Sequence, residues 1–186
     1  MKTSLIALSL GLAASLAGTA AFANTGMINF EGKITSSTCP IEVVNPEDGA
    51  IGNQVKMGSV DASRFTAPGQ EYRGKSFVLR VKDSATCGGT ANTAEVTFNG
   101  VADSSGNYFS VGPDNDTSVA KGVAIVIRDK TGDSIAPGDT SAEYDLNATG
   151  PTDMLFNAYY RRTAPATGSV QPGSASADVL FVVAVN

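Results

Sequence analysis

The sequence predicts an all-β sandwich that is one strand short of closure. Periodic runs of helix formers are absent, and short segments alternate apolar with polar residues between clusters of Gly, Pro, Asn, Asp and Ser. The final segment, Ala177–Asn186, is an apolar strand with no later strand to cover its edge. A further alternating segment, Asn24–Ile34, precedes the first cysteine and the body of the domain.

Residues 1–23 read as a secretory signal peptide rather than as structure. Lys2 supplies the positive start, Leu5–Ala17 the short apolar run, and Ala21-Phe22-Ala23 the A-x-A cleavage signal. Cleavage after Ala20 is the second possibility. The apolar run is too short and too rich in Ala and Gly to span a membrane well. The chain is therefore expected to be exported, with 24–34 as an N-terminal extension that merges into a domain at 33–186.

That domain is long enough to bury a core. The full chain has 13 basic and 18 acidic residues, a net charge of −5. An acidic chain without a basic patch cannot neutralise phosphates, which argues against nucleic acid and anionic membranes as partners. Cys39 and Cys87 are the only cysteines among 186 residues, and in an exported chain such a pair predicts one disulfide. Two thiols without any His do not make a zinc site. Closing a loop of this length stabilises by roughly 4 kcal/mol on the chain-entropy account.

The elements follow in order from alternation and turn signals. Lys33–Val44 is a first strand carrying Cys39 and broken by Pro40; Pro46–Gly49 is a turn. Asn53–Val60 is a short strand with Val55 and Met57 on one side, followed by a loop over Asp61–Gly74. Lys75–Lys82 points Phe77, Leu79 and Val81 inward and runs on to Cys87. Ala94–Val101 places Val96 and Phe98 on one face, and Tyr108–Val111 is a short piece before a polar loop. Gly122–Arg128 is nearly continuous Val and Ile, the mark of a strand buried on both faces. Asp129–Asp133 is a tight turn, Ser134–Tyr144 an irregular edge, and Leu146–Pro151 a loop. Met154–Arg162 is a strong strand, and Thr163–Ser176 is a hairpin connection. Ala177–Asn186 closes the chain, with Val179, Phe181, Val183 and Val185 on one face and Leu180, Val182 and Ala184 on the other.

Two features are left over. The last strand has an unpaired apolar edge, which invites another chain. The extension is a spare strand whose Ile28, Phe30, Gly32 and Ile34 share one face, with Gly26 in the same register. Folded back, it would fill its own groove; placed in a neighbour's, it would make a polymer by strand addition.

Several blocks together resemble the major subunits of chaperone–usher fimbriae, the type 1 pilin family. They are Ile28–Ile34 ahead of Cys39, Val55–Val60, Phe77–Asp83 ahead of Cys87, Gly122–Gly132, Phe156–Tyr160, Pro172-Gly173 and Ala177–Phe181. The resemblance spans everything after the leader. It implies an immunoglobulin-like sandwich lacking its last strand, which is completed by a donor strand from another subunit. A periplasmic chaperone would lend a strand, and an outer-membrane usher would exchange it for the next subunit's extension. By position, Gly26, Ile28, Phe30 and Gly32 would be the donor residues, with glycines where a side chain would meet the groove floor. Val179, Phe181, Val183 and Val185 would line the acceptor groove. Asn186 would offer its carboxylate to the chaperone. The chain departs from the family in having Val185, not an aromatic residue, next to last. Its extension is also short, with only Asn24 and Thr25 before Gly26 if cleavage follows Ala23.

Catalysis finds no matching motif. The chain has no His for a triad and no phosphate-cradling Gly-rich loop, and no cofactor is expected. Asp114 with Asp116 and Asp129 with Asp133 fall in turns and lack the spacing of a calcium loop. Tyr159, Tyr160, Arg161 and Arg162 read as one ring in the core and a basic end in a loop, rather than as a sugar-binding surface. The expected function is that of a structural rod subunit of a bacterial surface fimbria, supporting adhesion. A minor adaptor or adhesive subunit is one alternative, and a self-complete secreted binding module is another.

Overall fold

The computed structural model describes residues 40–88, 90–113 and 115–186. The leader, the extension 24–34, Cys39 and Asp114 lie outside the described residues. In chain order the strands are β1 (Ile41–Val44), β2 (Glu71–Val81), β3 (Thr93–Gly100), β4 (Phe109–Ser110), β5 (Val123–Arg128), β6 (Ser134–Ile135), β7 (Tyr144–Asp145), β8 (Thr152–Arg162) and β9 (Val179–Val185). One sheet runs β1-β2-β8-β5-β4, with β6 also on β5; the other runs β7-β3-β9. Every pair of strands is antiparallel.

Alternation sets which face each strand buries. In β2, Phe77, Leu79 and Val81 turn inward and face Phe156, Met154 and Thr152 of β8 across the ladder. In β3, Ala94, Val96 and Phe98 are buried. Between the sheets an aromatic cluster forms around Phe156. It stacks on Phe77 at 5.5 Å and meets Phe98 edge-on at 5.0 Å between ring centroids. Tyr144 of β7 joins the cluster at 5.4 Å, and its hydroxyl donates to Leu155 O of β8 at 2.7 Å. One side chain thus fastens the small sheet to the large one. Burial pushes its phenol up to about 12.

The strands expected at 75–82, 94–101, 122–128, 154–162 and 177–186 are present, and β2 and β8 extend further toward their N-termini. Four details differ from the expectation. Cys87 lies not on an extended run but on a short helix, α1 (Ser84–Gly88). There Ser84 is buried, with its hydroxyl 2.6 Å from that of Thr152, and Cys87 N donates to Asp83 O. A loop reading of 61–74 holds only to Gln70; it contains a turn of 3-10 helix at Ala62–Arg64, capped by Asp61 accepting from Ser63 N. Thr163–Ser176 is no hairpin, because β8 and β9 belong to different sheets. It crosses between the sheets, bridging Val119 at Ser174 and Lys121 at Gln171. A Cβ on Gly173 would collide there with the backbone of Val119 and Ala120.

The fourth difference is Arg162, which lies in β8 and is buried rather than in a loop. Its guanidinium donates to the carbonyls of Phe65, Ala164, Pro165 and Gly168. A planar five-donor group can satisfy several turns of chain at once. Arg161, on the opposite face, packs over the Tyr108 ring at 4.8 Å and shares Glu71 with Arg128. Burial raises the Glu71 carboxyl, but the two guanidinium hydrogen bonds outweigh it and hold the group below its ordinary value of 4.5. A depressed carboxylate contributes stability that is complete above the unfolded-state value and is lost as pH falls through the folded one. Thermal unfolding followed from pH 7 to pH 2 should therefore fall below about 4.5. Glu71→Gln should flatten that acid limb. Residual slope remains from Asp153, held down by Arg80, and from Asp129, where hydrogen bonds from Thr131 and Ala142 overcome burial.

Candidate functional site: an open apolar groove beside the last strand

Among the described residues β3 has a partner on each side and β9 has β3 alone. The difference shows in burial at each register pair. Ala94, Val96 and Phe98 are 0%, 0% and 2% exposed, while their partners Val185, Val183 and Phe181 are only partly buried. Val179, Phe181, Val183 and Val185 do face the core, as their alternation predicts, and pack against it. The other face is solvent-exposed: Leu180 is 75% and Val182 46% exposed. Asn186 N donates to Thr93 O, and a backbone carboxylate oxygen of Asn186 accepts from Asn92 N and Thr93 N, so the pairing runs to the last residue.

Beside the free edge of β9 lies an open groove of about 790 Å³. Its floor is formed by buried core residues, including Phe77, Leu79, Phe98 and Ile127; one bank is Ala175–Phe181. The other bank is the segment Asn53–Met57. Val55 and Met57 turn inward, as their alternation predicts, but residues 53–60 are not a paired strand. Among the described residues this segment exchanges no backbone hydrogen bonds. It has strand pattern without a strand partner, and so does the near edge of β9.

Each bank therefore presents unpaired backbone groups, and the space between them is apolar. An inserted strand with period-2 alternation would satisfy both requirements: main-chain bonds to the banks, and apolar side chains to the floor. Smaller depressions continue the groove at either end. One, of about 320 Å³, lies under the 45–52 turn; the other, of about 300 Å³, lies beside Pro172–Ala175. Tyr160 is buried at the latter end, and burial pushes its phenol up.

The remaining sequence candidates do not converge on this groove. Tyr159 and Arg161 lie on the far face of the large sheet, away from Tyr160 and Arg162, so the four do not form one surface. Asp116 accepts from Ser118, and Asp129 accepts from Thr131 and Ala142; these are turn contacts. Among the described residues no group of three or more acidic, His or Cys side chains could hold a metal, and no helix is long and apolar enough to cross a membrane. Cys87 is partly buried against the core, and its expected partner Cys39 lies outside the described residues.

Two unequal sheets packed on one apolar core, with an open groove beside β9, define an immunoglobulin-like sandwich of the pilin type. The chain belongs to the fimbrial protein family: the model for Fimbrial protein matches residues 28–186. It is 31% identical over 160 residues to the type-1 fimbrial protein A chain of Salmonella typhi, covering 85% of this chain and 81% of that one. To the type-1 fimbrial protein A chain of Escherichia coli it is 30% identical over 193 residues, covering 98% of each. A solved antigen and type I fimbria protein of Burkholderia pseudomallei superposes with a TM-score of 0.55 at 29% identity, over 86% of this chain and 97% of that one. A chaperone–usher pilus subunit superposes at 0.61 with 14% identity, over 88% and 97%, which shows the shared fold. The family is one of structural subunits, and the protein is a fimbrial subunit of that kind.

Half-covered side chains should contribute half as much. Val96→Ala should cost about 1.5 kcal/mol and Val183→Ala about half that, at ~0.8 kcal/mol per buried CH₂. Denaturant unfolding of the isolated chain measures both. If the groove takes a strand, adding that strand should raise the cost of Val183→Ala toward that of Val96→Ala.

Proposed function

We propose that this fimbrial subunit is built into a rod by strand addition, each copy's extension filling the next copy's groove. The observation that carries the reading is the pair of unpaired banks flanking an apolar floor. β9 offers a seven-residue edge. The segment from Gly26 to Gly32 has the same length and the same period. Gly26, Ile28, Phe30 and Gly32 are the donor residues in this reading, and Val179, Phe181, Val183 and Val185 are on the acceptor side. Ile28 and Phe30 would each contribute ~1.5–3 kcal/mol on full burial, besides main-chain pairing.

A groove of this kind is an aggregation hazard until filled. A periplasmic chaperone lending a strand, with an outer-membrane usher exchanging it, removes the hazard on the way to the cell surface. In that scheme 1–23 is the cleaved leader, 24–34 is the donor extension and 33–186 is the acceptor domain. Cys39 pairs with Cys87, and Asn186 meets the chaperone. With Val185 in place of an aromatic residue, the terminal contact is smaller than the family's usual one.

Phe30→Asp should abolish SDS-resistant polymer ladders and leave disulfide formation intact; normal fibres from that variant would overturn the donor assignment. Mass spectrometry of fibre protein should find an N-terminus at Asn24. A chain that folds reversibly as a stable closed monomer would instead be a self-complete binding module.

A further inference from the structure

The bank at residues 53–60 poses a problem of its own, because nothing in its backbone holds it in place. Two side chains do. Arg73 Nε donates to Ser59 O at 3.2 Å. The Tyr160 hydroxyl lies 3.4 Å from Gly58 O and 3.2 Å from Ala175 O. Gly58 belongs to the free bank and Ala175 to the bank leading into β9, so this one hydroxyl sits between the two sides of the slot. It has a single proton to share between them.

Arg73 has a second peculiarity. At φ 56° it is the only non-glycine residue with positive φ among the described residues. That conformation favours glycine, and arginine is held in it against its preference. The strain sits in a bulge where the β2–β8 register slips between Tyr72 and Lys75. The next residue, Gly74, leaves the space taken by the Tyr159 ring. A glycine at 73 would suit the bulge equally well, but it could not reach Ser59. The reach of the side chain is what the strained position retains.

We propose that Arg73 and Tyr160 are positioning residues. They hold the free bank in place across the groove from β9, so that an incoming strand meets a slot already formed. The inference rests on the strand-addition reading. An edge ordered in advance does not have to be ordered at the moment of binding, and binding is tighter for it. The tethers act at Gly58 and Ser59, near the Tyr160 end of the groove.

The test uses the chain beginning at Asn24, with Phe30→Asp in every version including the reference so that its own extension does not compete, and a fluorescent wild-type peptide of residues 24–34. Peptide release is followed by anisotropy after a chase with unlabelled peptide. Amide hydrogen exchange over 54–60 is measured in the peptide-free chain. Arg73→Gly and Tyr160→Phe should each release the peptide about five- to tenfold faster, the scale of one lost hydrogen bond. Both should speed exchange over 54–60. Arg73→Lys keeps a donor of similar reach and should stay within about twofold of the reference. The unfolding midpoint of peptide-free Arg73→Gly should be unchanged or higher, since glycine relieves the φ, and a general loss of fold would lower it. Unchanged exchange over 54–60 in both variants would overturn the inference, whatever the peptide does. Unchanged release in both, with the reference binding normally, would overturn it as well. Failure of the reference chain to take up the peptide would remove the strand-addition reading instead, leaving the exchange data to decide the tether.

Discussion

A backbone edge without a partner, lying over an apolar floor, is the constraint on which the rest of this molecule depends. Among the described residues β9 satisfies its main chain on one side through β3 and leaves the other side open. Its inward side chains are half covered for the same reason. In a closed sandwich another strand would lie there, and the cost of its absence is felt twice, in unpaired polar groups and in wet apolar surface. Neither can be repaired by rearranging side chains. Both are repaired by one added strand.

The large sheet makes this opening durable. An apolar slot between two sheets would close if the sheets could slide together, and several features resist that. The rings of Phe77, Phe98 and Phe156 pack as a rigid wedge beneath the groove. Tyr144 fixes the spacing of the two sheets on the far side through its bond to Leu155 O. Arg162 gathers the carbonyls of Ala164, Pro165 and Gly168 at the start of the crossing segment, which fixes where the chain leaves the large sheet. The surface ion pairs Lys75–Glu47 and Lys82–Glu42 add little by comparison, being exposed and screened.

For a fimbrial subunit such a defect is an asset. On the strand-addition proposal, two copies that each lack a strand and each carry a spare one would associate head to tail, and a head-to-tail contact does not close on itself. A fibre so linked would draw its cohesion from the same forces that complete a domain core: ladder hydrogen bonds and buried apolar side chains. That would make each link as demanding as a fold and as hard to reverse.

Much of this was legible in the sequence because a strand's two faces are written in consecutive residues. Val179, Phe181, Val183 and Val185 alternate with Leu180, Val182 and Ala184, and the inward and outward assignments follow from period alone. The same holds for Phe77, Leu79 and Val81 in β2, and for the inward residues of β3. Pairing is a different kind of information. Val55 and Met57 carry a strand's pattern, but only the tertiary structure decided that their segment has no backbone partner among the described residues and forms a bank. Thr163–Ser176 looks like a hairpin because it is rich in Gly, Pro and Ser; whether it turns within a sheet or crosses to another depends on residues far away in the chain. Arg73, Tyr160 and Arg162 belong to the same class. Their chemistry is visible in the sequence, but their roles come from carbonyls brought beside them by the fold. Local alternation determined the strands and the face each one buries; the meeting of distant backbone groups decided which edges remain open, because hydrogen bonding between strands has no signature in either strand alone.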